Sequence, residues 1–156
     1  MEIREVTDHK KQYISLLLLA DEQENMIDRY LEKGTMYVLD DEGVKAECVV
    51  TDEGNRILEI KNIAVPPAFQ GKGYGRKIID FLIDFYADDF DILQVGTGDS
   101  PLTIPFYEKC GFRRHHILKN FFIDNYDHPI FEDEVQLVDM IYLQMPLSNN
   151  PEFFLA

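Results

Sequence analysis

Between an apolar run that ends at Val65 and a helix-length run that begins near Arg76, the chain reads Gln70-Gly71-Lys72-Gly73-Tyr74-Gly75-Arg76. No other segment limits the fold as strongly. Alternate glycines permit positive φ and close approach of the backbone, and the first turn of the following helix has N–H groups with no partner inside it. Such a place attracts anions, because the helix dipole, Lys72 and Arg76 add positive character to the glycine backbone. An ordinary glycine turn before a helix would look the same, and the glycines alone do not separate the two readings. Spacing disfavours two other phosphate loops: GxxxxGK[ST] needs a hydroxyl residue after its lysine, and GxGxxG needs its third glycine one position later. Nucleotide triphosphate hydrolysis and dinucleotide oxidoreduction are disfavoured with them.

The flanking pattern supplies an architecture. Residues 12–31 mix apolar and acidic positions without alternation, which predicts one or two helices with Leu16, Leu17 and Leu19 on one face. Residues 36–39, 44–51 and 56–65 are strand-like runs joined by the polar turns Asp40-Asp41-Glu42-Gly43 and Asp52-Glu53-Gly54-Asn55, which predicts an antiparallel meander. Beyond Pro66-Pro67 and the glycines, Ile78, Ile79, Leu82, Ile83 and Tyr86 recur at helical spacing. Residues 90–95 read as an interior strand, so a strand, helix, strand unit is embedded in an otherwise antiparallel sheet. Residues 105–110 form a short helix, irregular at its start because Pro105 lacks an N–H. Gly111 ends it in the left-handed region, with Phe112 as the accompanying apolar contact. Strands over about 112–121 and 135–145 complete one α+β domain over 1–147, followed by a tail, 148–156.

Composition narrows the function. With 156 residues, 46% of them hydrophobic, the chain can build one core. A net charge of -14 without a compact basic patch excludes nucleic acid as an expected partner. The same field favours cationic ligands, although solubility accounts for it more simply. No basic start followed by an apolar core is present, and no apolar stretch approaches ~18 residues, so neither secretion nor a membrane partner is expected. Cys48 and Cys110 lack metal-ligand spacing and read as buried, reduced thiols of a cytoplasmic protein. His9, His115, His116 and His128 show no ligand spacing either, and the adjacent pair on a strand should face opposite sides. No metal is expected.

Two motifs then converge. Gln70 to Gly75 fits a Q/R-x-x-G-x-G/A signature, preceded at the right interval by Glu59-Ile60-Lys61-Asn62-Ile63-Ala64-Val65, and Phe106-Tyr107-Glu108-Lys109-Cys110-Gly111-Phe112 fits a second signature of the form YEKxGF. On these residues the chain resembles the GNAT N-acetyltransferase family over 38–112. The resemblance implies a GNAT-like, mostly antiparallel central sheet flanked by helices, with acetyl-coenzyme A held at a strand, glycine loop, helix site. It implies direct attack of an amine on the thioester without an acyl-enzyme. Gln70, Gly71, Lys72, Gly73, Gly75 and Arg76 would bind the cofactor's phosphates, and the main chains of Ile63 and Val65 its pantetheine arm. N–H groups at the end of the Glu59 strand would stabilise the oxyanion.

By the same resemblance Tyr107 protonates the departing thiolate, and Glu59, directly or through a water, removes the proton from an amine whose ordinary pKa is near ~10.4. Glu59 could instead be half of a charge pair with Lys61, two positions away on the same strand face, and Tyr107 a core aromatic. Many members carry asparagine where this chain has Ser100, followed by Pro101; Ser100 takes that cofactor position with different chemistry. Cys110 has no histidine placed beside it in sequence and reads as packing.

The aromatic and acidic segment 121–134 is too long for a simple hairpin turn. It either shapes the acceptor pocket or is a packed connection whose aromatics belong to the core. The expected acceptor is an amine on a small molecule or a protein, with a homodimer left open. Two other classes compete. A non-catalytic coenzyme A-binding regulatory module would not need both Glu59 and Tyr107, and a ligand-free interaction domain would make the two matched motifs a coincidence.

Overall fold

In the computed structural model, which describes residues 1–147, the meander forms the middle of the sheet. The expected tail, 148–156, lies outside the described residues. Strands β2 (Thr35–Asp40), β3 (Val44–Asp52) and β4 (Ile57–Ala64) pair antiparallel in chain order. Strand β5 (Ile92–Gly98) lies parallel to β4, and the crossover between them is α3 (Tyr74–Tyr86). Strand β9 (Met140–Pro146) pairs antiparallel with β5, and β6 (Arg113–Leu118) closes that edge. At the other edge β1 (Glu2–Val6) pairs with β2; its polar sequence gave no strand signal. The result is a seven-stranded α+β sheet, ordered β1-β2-β3-β4-β5-β9-β6, with one parallel pair.

Alternation along each strand feeds two cores. On one face Tyr37 and Leu39 of β2 join Ile60, Leu93 and Leu143 under Ile78, Ile79 and Leu82 of α3 and under Tyr107 of α4 (Ile104–Cys110). On the other face Met36 and Val38 meet Leu17 of α1 (Ile14–Ala20) and Ile27 of α2 (Glu24–Ile27). Helix α1 turns Ile14, Leu17 and Leu18 inward. Leu19, expected on that face, is exposed, because it lies about 200° round the helix from Leu17. At the end of α4, Phe112 N–H bonds to Tyr107 O and Gly111 N–H to Glu108 O, with Gly111 at φ 111 and Phe112 fully buried. The irregular start expected at Pro105 is a turn over 101–103, where Ser100 O accepts from the N–H groups of Thr103 and Ile104.

Three expectations are corrected by side-chain and backbone detail. The run expected as a strand to residue 121 stops at Leu118: Asn120 adopts φ 59, its N–H bonds to Asp139 Oδ1, and α5 (Phe121–Asn125) begins. The run expected from residue 135 is divided, with β8 (Val135–Gln136) forming a separate hairpin with β7 (Phe131–Glu132) and β9 starting only at Met140. His115 and His116 do not face opposite sides. Arg114 pairs with Leu143 and His116 with Tyr142, so His115 is an inserted bulge residue, and the two imidazoles meet at 2.8 Å.

A second bulge matters more. Val49 pairs with Asn62 and Val50 with Ile60, which makes Lys61 the inserted residue of β4. At this point β4 and β5 part: their pairing runs from Ile57 with Ile92 to Ile60 with Val95 and stops, although both strands continue. Among the described residues no helix is long and apolar enough to cross a membrane.

Glu47, on β3, is fully buried and neither carboxylate oxygen has a hydrogen-bond partner among the described residues. Burial holds its carboxyl well above the usual carboxylate range. The unfolded chain releases this proton at acidic pH and the folded chain keeps it, so the stability this group contributes is complete below its unfolded pKa and is lost as pH rises. We predict that Glu47→Gln changes the Tm little at pH 4 and raises it relative to wild type at pH 8, by about 2–4 °C for each kcal/mol. A Tm difference that does not vary with pH contradicts the buried acid.

Candidate active site

The fork between β4 and β5 opens into a cleft of ≈ 780 Å³. Ile60 to Val65 and Val95 to Gly98 form its floor. The glycine loop and the start of α3 make one wall, and Leu102, Thr103, Phe106 and Tyr107 make the next. The end of α1 and the 121–134 segment complete it.

Gly71 (φ 78) and Gly73 (φ 86) adopt the left-handed conformation that side chains disfavour, and a Cβ on either would meet nothing within 4 Å. The backbone there faces open space. Gln70 Nε2 donates to Val65 O at 2.9 Å and ties the loop to the strand end. The first bond of α3 runs from Lys77 N–H to Gly73 O, which leaves the earlier N–H groups without helical acceptors. Arg76 lines the cleft, held by Asp80 at 3.2 Å and by Lys109 O at 3.3 Å. These donors suit a diphosphate. Gly75 has a packing duty as well, since a Cβ would come within 3.2 Å of the Phe106 ring. Lys72, expected among the phosphate ligands, is not on the cleft wall; its ammonium lies 5.8 Å from the centre of the Phe69 ring.

Ile63 and Val65 line the floor, on and just past the stretch of β4 that has left β5. Tyr107 reaches the same cleft from α4, 6% exposed, between the rings of Phe106 and Phe112. Among the described residues no protein hydrogen bond acts on its hydroxyl. Burial, then the neighbouring Cys110 and Glu132, push the phenol upward, so it stays protonated. Cys110 is itself pushed up, chiefly by burial, and no histidine stands against it.

Two further expected site residues are placed elsewhere. Glu59 is 5% exposed and does not line the cleft: its carboxylate pairs with Lys61 Nζ at 2.7 Å and accepts from Gln94 Nε2 at 2.6 Å. The charge pair with Lys61 is present, with the difference that its carboxylate is drawn into the sheet. Ser100 is 2% exposed, and its Oγ accepts the Leu102 N–H at 3.1 Å under the turn before α4. Thr97 and Thr103, whose hydroxyls meet at 2.7 Å, occupy the cleft wall nearby.

Sequence reasoning also passed over Asp21, Asn62, Phe122 and Tyr126, all lining the cleft. The aromatic and acidic composition of 121–134 was a signal for the last two; Asp21 has no local motif. That segment serves both alternatives at once. Phe122 and Ile130 form a small core with Leu137, and the same residues with Tyr126, Phe131 and Glu132 face the cleft. Among the described residues, no group of His, Cys, Asp and Glu side chains converges as a metal site.

Comparison with known proteins gives a consistent result. Residues 32–114 match the family model for an acetyltransferase (GNAT) domain. Over 136 residues, 85% of this chain and 87% of the relative, the sequence is 37% identical to the uncharacterized N-acetyltransferase YvbK of Bacillus subtilis. A GNAT family acetyltransferase from Elizabethkingia anophelis, solved with acetyl-CoA bound, superposes with a TM-score of 0.87 at 36% identity, covering 93% of this chain and 97% of that one. An acetyltransferase from Bacillus subtilis, in complex with CoA, superposes with a TM-score of 0.83 at 32% identity, covering 93% and 97%.

The position of Glu59 is testable by stability alone. We predict that Glu59→Gln, which leaves Lys61 beside a neutral amide with Glu53, 3.9 Å away, as its remaining carboxylate, lowers the unfolding free energy by about 1–3 kcal/mol. Denaturant unfolding measures it, and unchanged stability contradicts the buried pair.

Proposed function

Since the chain belongs to the GNAT acetyltransferase family, we propose that it transfers the acetyl group of acetyl-coenzyme A to the nitrogen of a primary amine by direct attack. The family makes it an acetyl-coenzyme A-dependent acyltransferase. The observation that carries the finer reading is the convergence, in one cleft, of an open glycine loop, an unpaired strand edge and a protonated tyrosine without a partner.

Bound acetyl-coenzyme A supplies an acyl carbon already activated as a thioester. The N–H groups at Gly71, Gly73 and the start of α3, with Arg76, hold the diphosphate. The main chain at Ile63 and Val65, deprived of β5, takes the pantetheine amides and offers N–H to the developing oxyanion. Tyr107 gives its proton to sulfur as the carbon–sulfur bond breaks and the carbon–nitrogen bond forms. The amine must lose a proton to the protein or to water. Glu59 is held by Lys61 and Gln94 off the cleft wall, which leaves it the route through a water and leaves the direct route to a carboxylate on the wall. The acceptor is an amine on a small molecule or a protein, and the two free, buried cysteines support a cytoplasmic setting.

Two measurements test this reading. Acetyl-coenzyme A at about 100 times its Kd should stabilise the protein by about 2.7 kcal/mol. Gly73→Val, which strains φ 86 and fills the open space, should remove that shift while circular dichroism stays native; an undiminished shift rejects the phosphate loop. Tyr107→Phe should leave acetyl-coenzyme A affinity unchanged and lower kcat by about 10²–10⁴ where chemistry limits. An unchanged kcat rejects the proton donor.

A further inference from the structure

The end of α1 and the 121–134 segment meet at the cleft, and several contacts tie them. Tyr126 donates to Asp21 Oδ1 at 2.7 Å, Asp127 N–H donates to Gln23 Oε1 at 3.1 Å, and Arg29 Nη1 donates to Asn125 Oδ1 at 3.1 Å. His128 Nε2 lies 2.9 Å from Glu22 Oε1. Asp21 receives a second hydroxyl, Tyr30, on Oδ2 at 3.0 Å. A carboxylate on the cleft wall is thus fixed from both sides by neutral donors that leave its charge uncompensated. Among the described residues no lysine or arginine pairs with Asp21, nor with Glu132, the carboxylate of β7 on the same wall.

Two acceptor atoms at this end lack donors. Asn62, 3% exposed, gives its Nδ2 to Leu17 O and to the Tyr30 hydroxyl, both at 3.0 Å, and leaves Oδ1 buried without a partner. Glu132 Oε2 is buried without a partner as well. Buried acceptors are met in nearly all native structures, so two unmet ones lining a cleft leave room for donors from a ligand or from water. The surroundings are apolar: Leu19, Phe122, Ile130 and Phe131 stand on the same wall. The cleft is polarised, with cationic Arg76 and free N–H groups at the glycine loop and bare acceptors here.

Resting on the acetyl-transfer reading of this cleft, we propose that Asp21, Asn62 and Glu132 form the acceptor pocket and bind a primary ammonium group carried on an apolar body. An ammonium brings three N–H donors and no acceptor, which matches two carboxylates and a lone amide oxygen. An alcohol of the same shape brings one donor and no charge. A carboxylate next to the amine would meet Asp21 and Glu132 and be repelled, so simple amines are preferred over free amino acids. Burial holds Asp21 above the usual carboxylate range against the opposing pull of its two tyrosine bonds, which also suits it to receive a proton from the bound amine. The proton then leaves nitrogen for the Asp21 carboxylate before the lone pair attacks.

The test uses phenethylamine and its neutral counterpart phenethyl alcohol, titrated calorimetrically into the whole protein in the presence of coenzyme A. Wild type should bind the amine at least about tenfold more tightly than the alcohol, and Asp21→Asn and Glu132→Gln should each lose most of that preference. Asp21→Asn keeps an acceptor for one tyrosine and turns an amide donor to the other; if it fails to fold, Glu132→Gln carries the same comparison. Equal binding of amine and alcohol by wild type, or full amine preference in both variants, overturns the pocket. Parallel titration with acetyl-coenzyme A separates this from the reading it rests on. Amine selectivity without acetyl-coenzyme A binding overturns acetyl transfer and leaves the pocket standing, whereas acetyl-coenzyme A binding without amine selectivity overturns the pocket alone.

Discussion

Beyond Ile60 and Val95 the two parallel strands stop exchanging hydrogen bonds, and the rest of the site answers the backbone groups left facing each other. Main-chain polar groups inside a fold need partners, so a fork of this kind requires something to fill it. The bulge at Lys61 bends β4 where the separation begins. Just before it, a polar ladder crosses three strands: Lys61 pairs with Glu59, Glu59 with Gln94, and Gln94 with Gln144. Glu59 and Gln94 are also register partners, as are Gln94 and Gln144. The ladder closes the sheet on one side of the fork and so sets where the opening starts.

Parallel pairing of β4 and β5 forces a crossover, and the crossover is α3. Its amino end must arrive beside the carboxyl end of β4, which is where the strands have parted. The glycine loop is therefore the shortest link between an edge that needs partners and a helix end with free donors. Gly71 and Gly73 adopt the positive φ this link requires, and Gly75 lets α4 approach through Phe106. That approach brings Tyr107 to the cleft on the wall next to the loop. In an otherwise strongly acidic molecule the loop end of the cleft is a local exception, and the far end follows the general field.

What could be read from the sequence was local. The meander, the periodicity of α3, the glycine loop and the cap at Gly111 each rest on residues within a few positions of one another, and the family resemblance adds their order. What could not be read was set by partners far along the chain. Glu59 finds Gln94 35 positions away, and Asp21 finds Tyr126 105 positions away. Lys72 and Arg76 are indistinguishable in a motif, yet the helix turns only Arg76 into the cleft. Ser100 spends its hydroxyl on the turn that Pro101 and Pro105 frame, leaving Thr97 and Thr103 on the wall. Alternation also failed at Lys61 and His115, because an inserted residue carries no sequence mark of its own.

The central claim is that the parted edges of β4 and the start of α3 are completed by acetyl-coenzyme A. Amide hydrogen exchange, followed residue by residue with and without coenzyme A, tests it most directly. The account predicts new protection at residues 63–65 and at 71–76, with β1 and β6 at the sheet edges unchanged. Protection confined to other elements, or none at residues 63–65 and 71–76 under saturating coenzyme A, would contradict it.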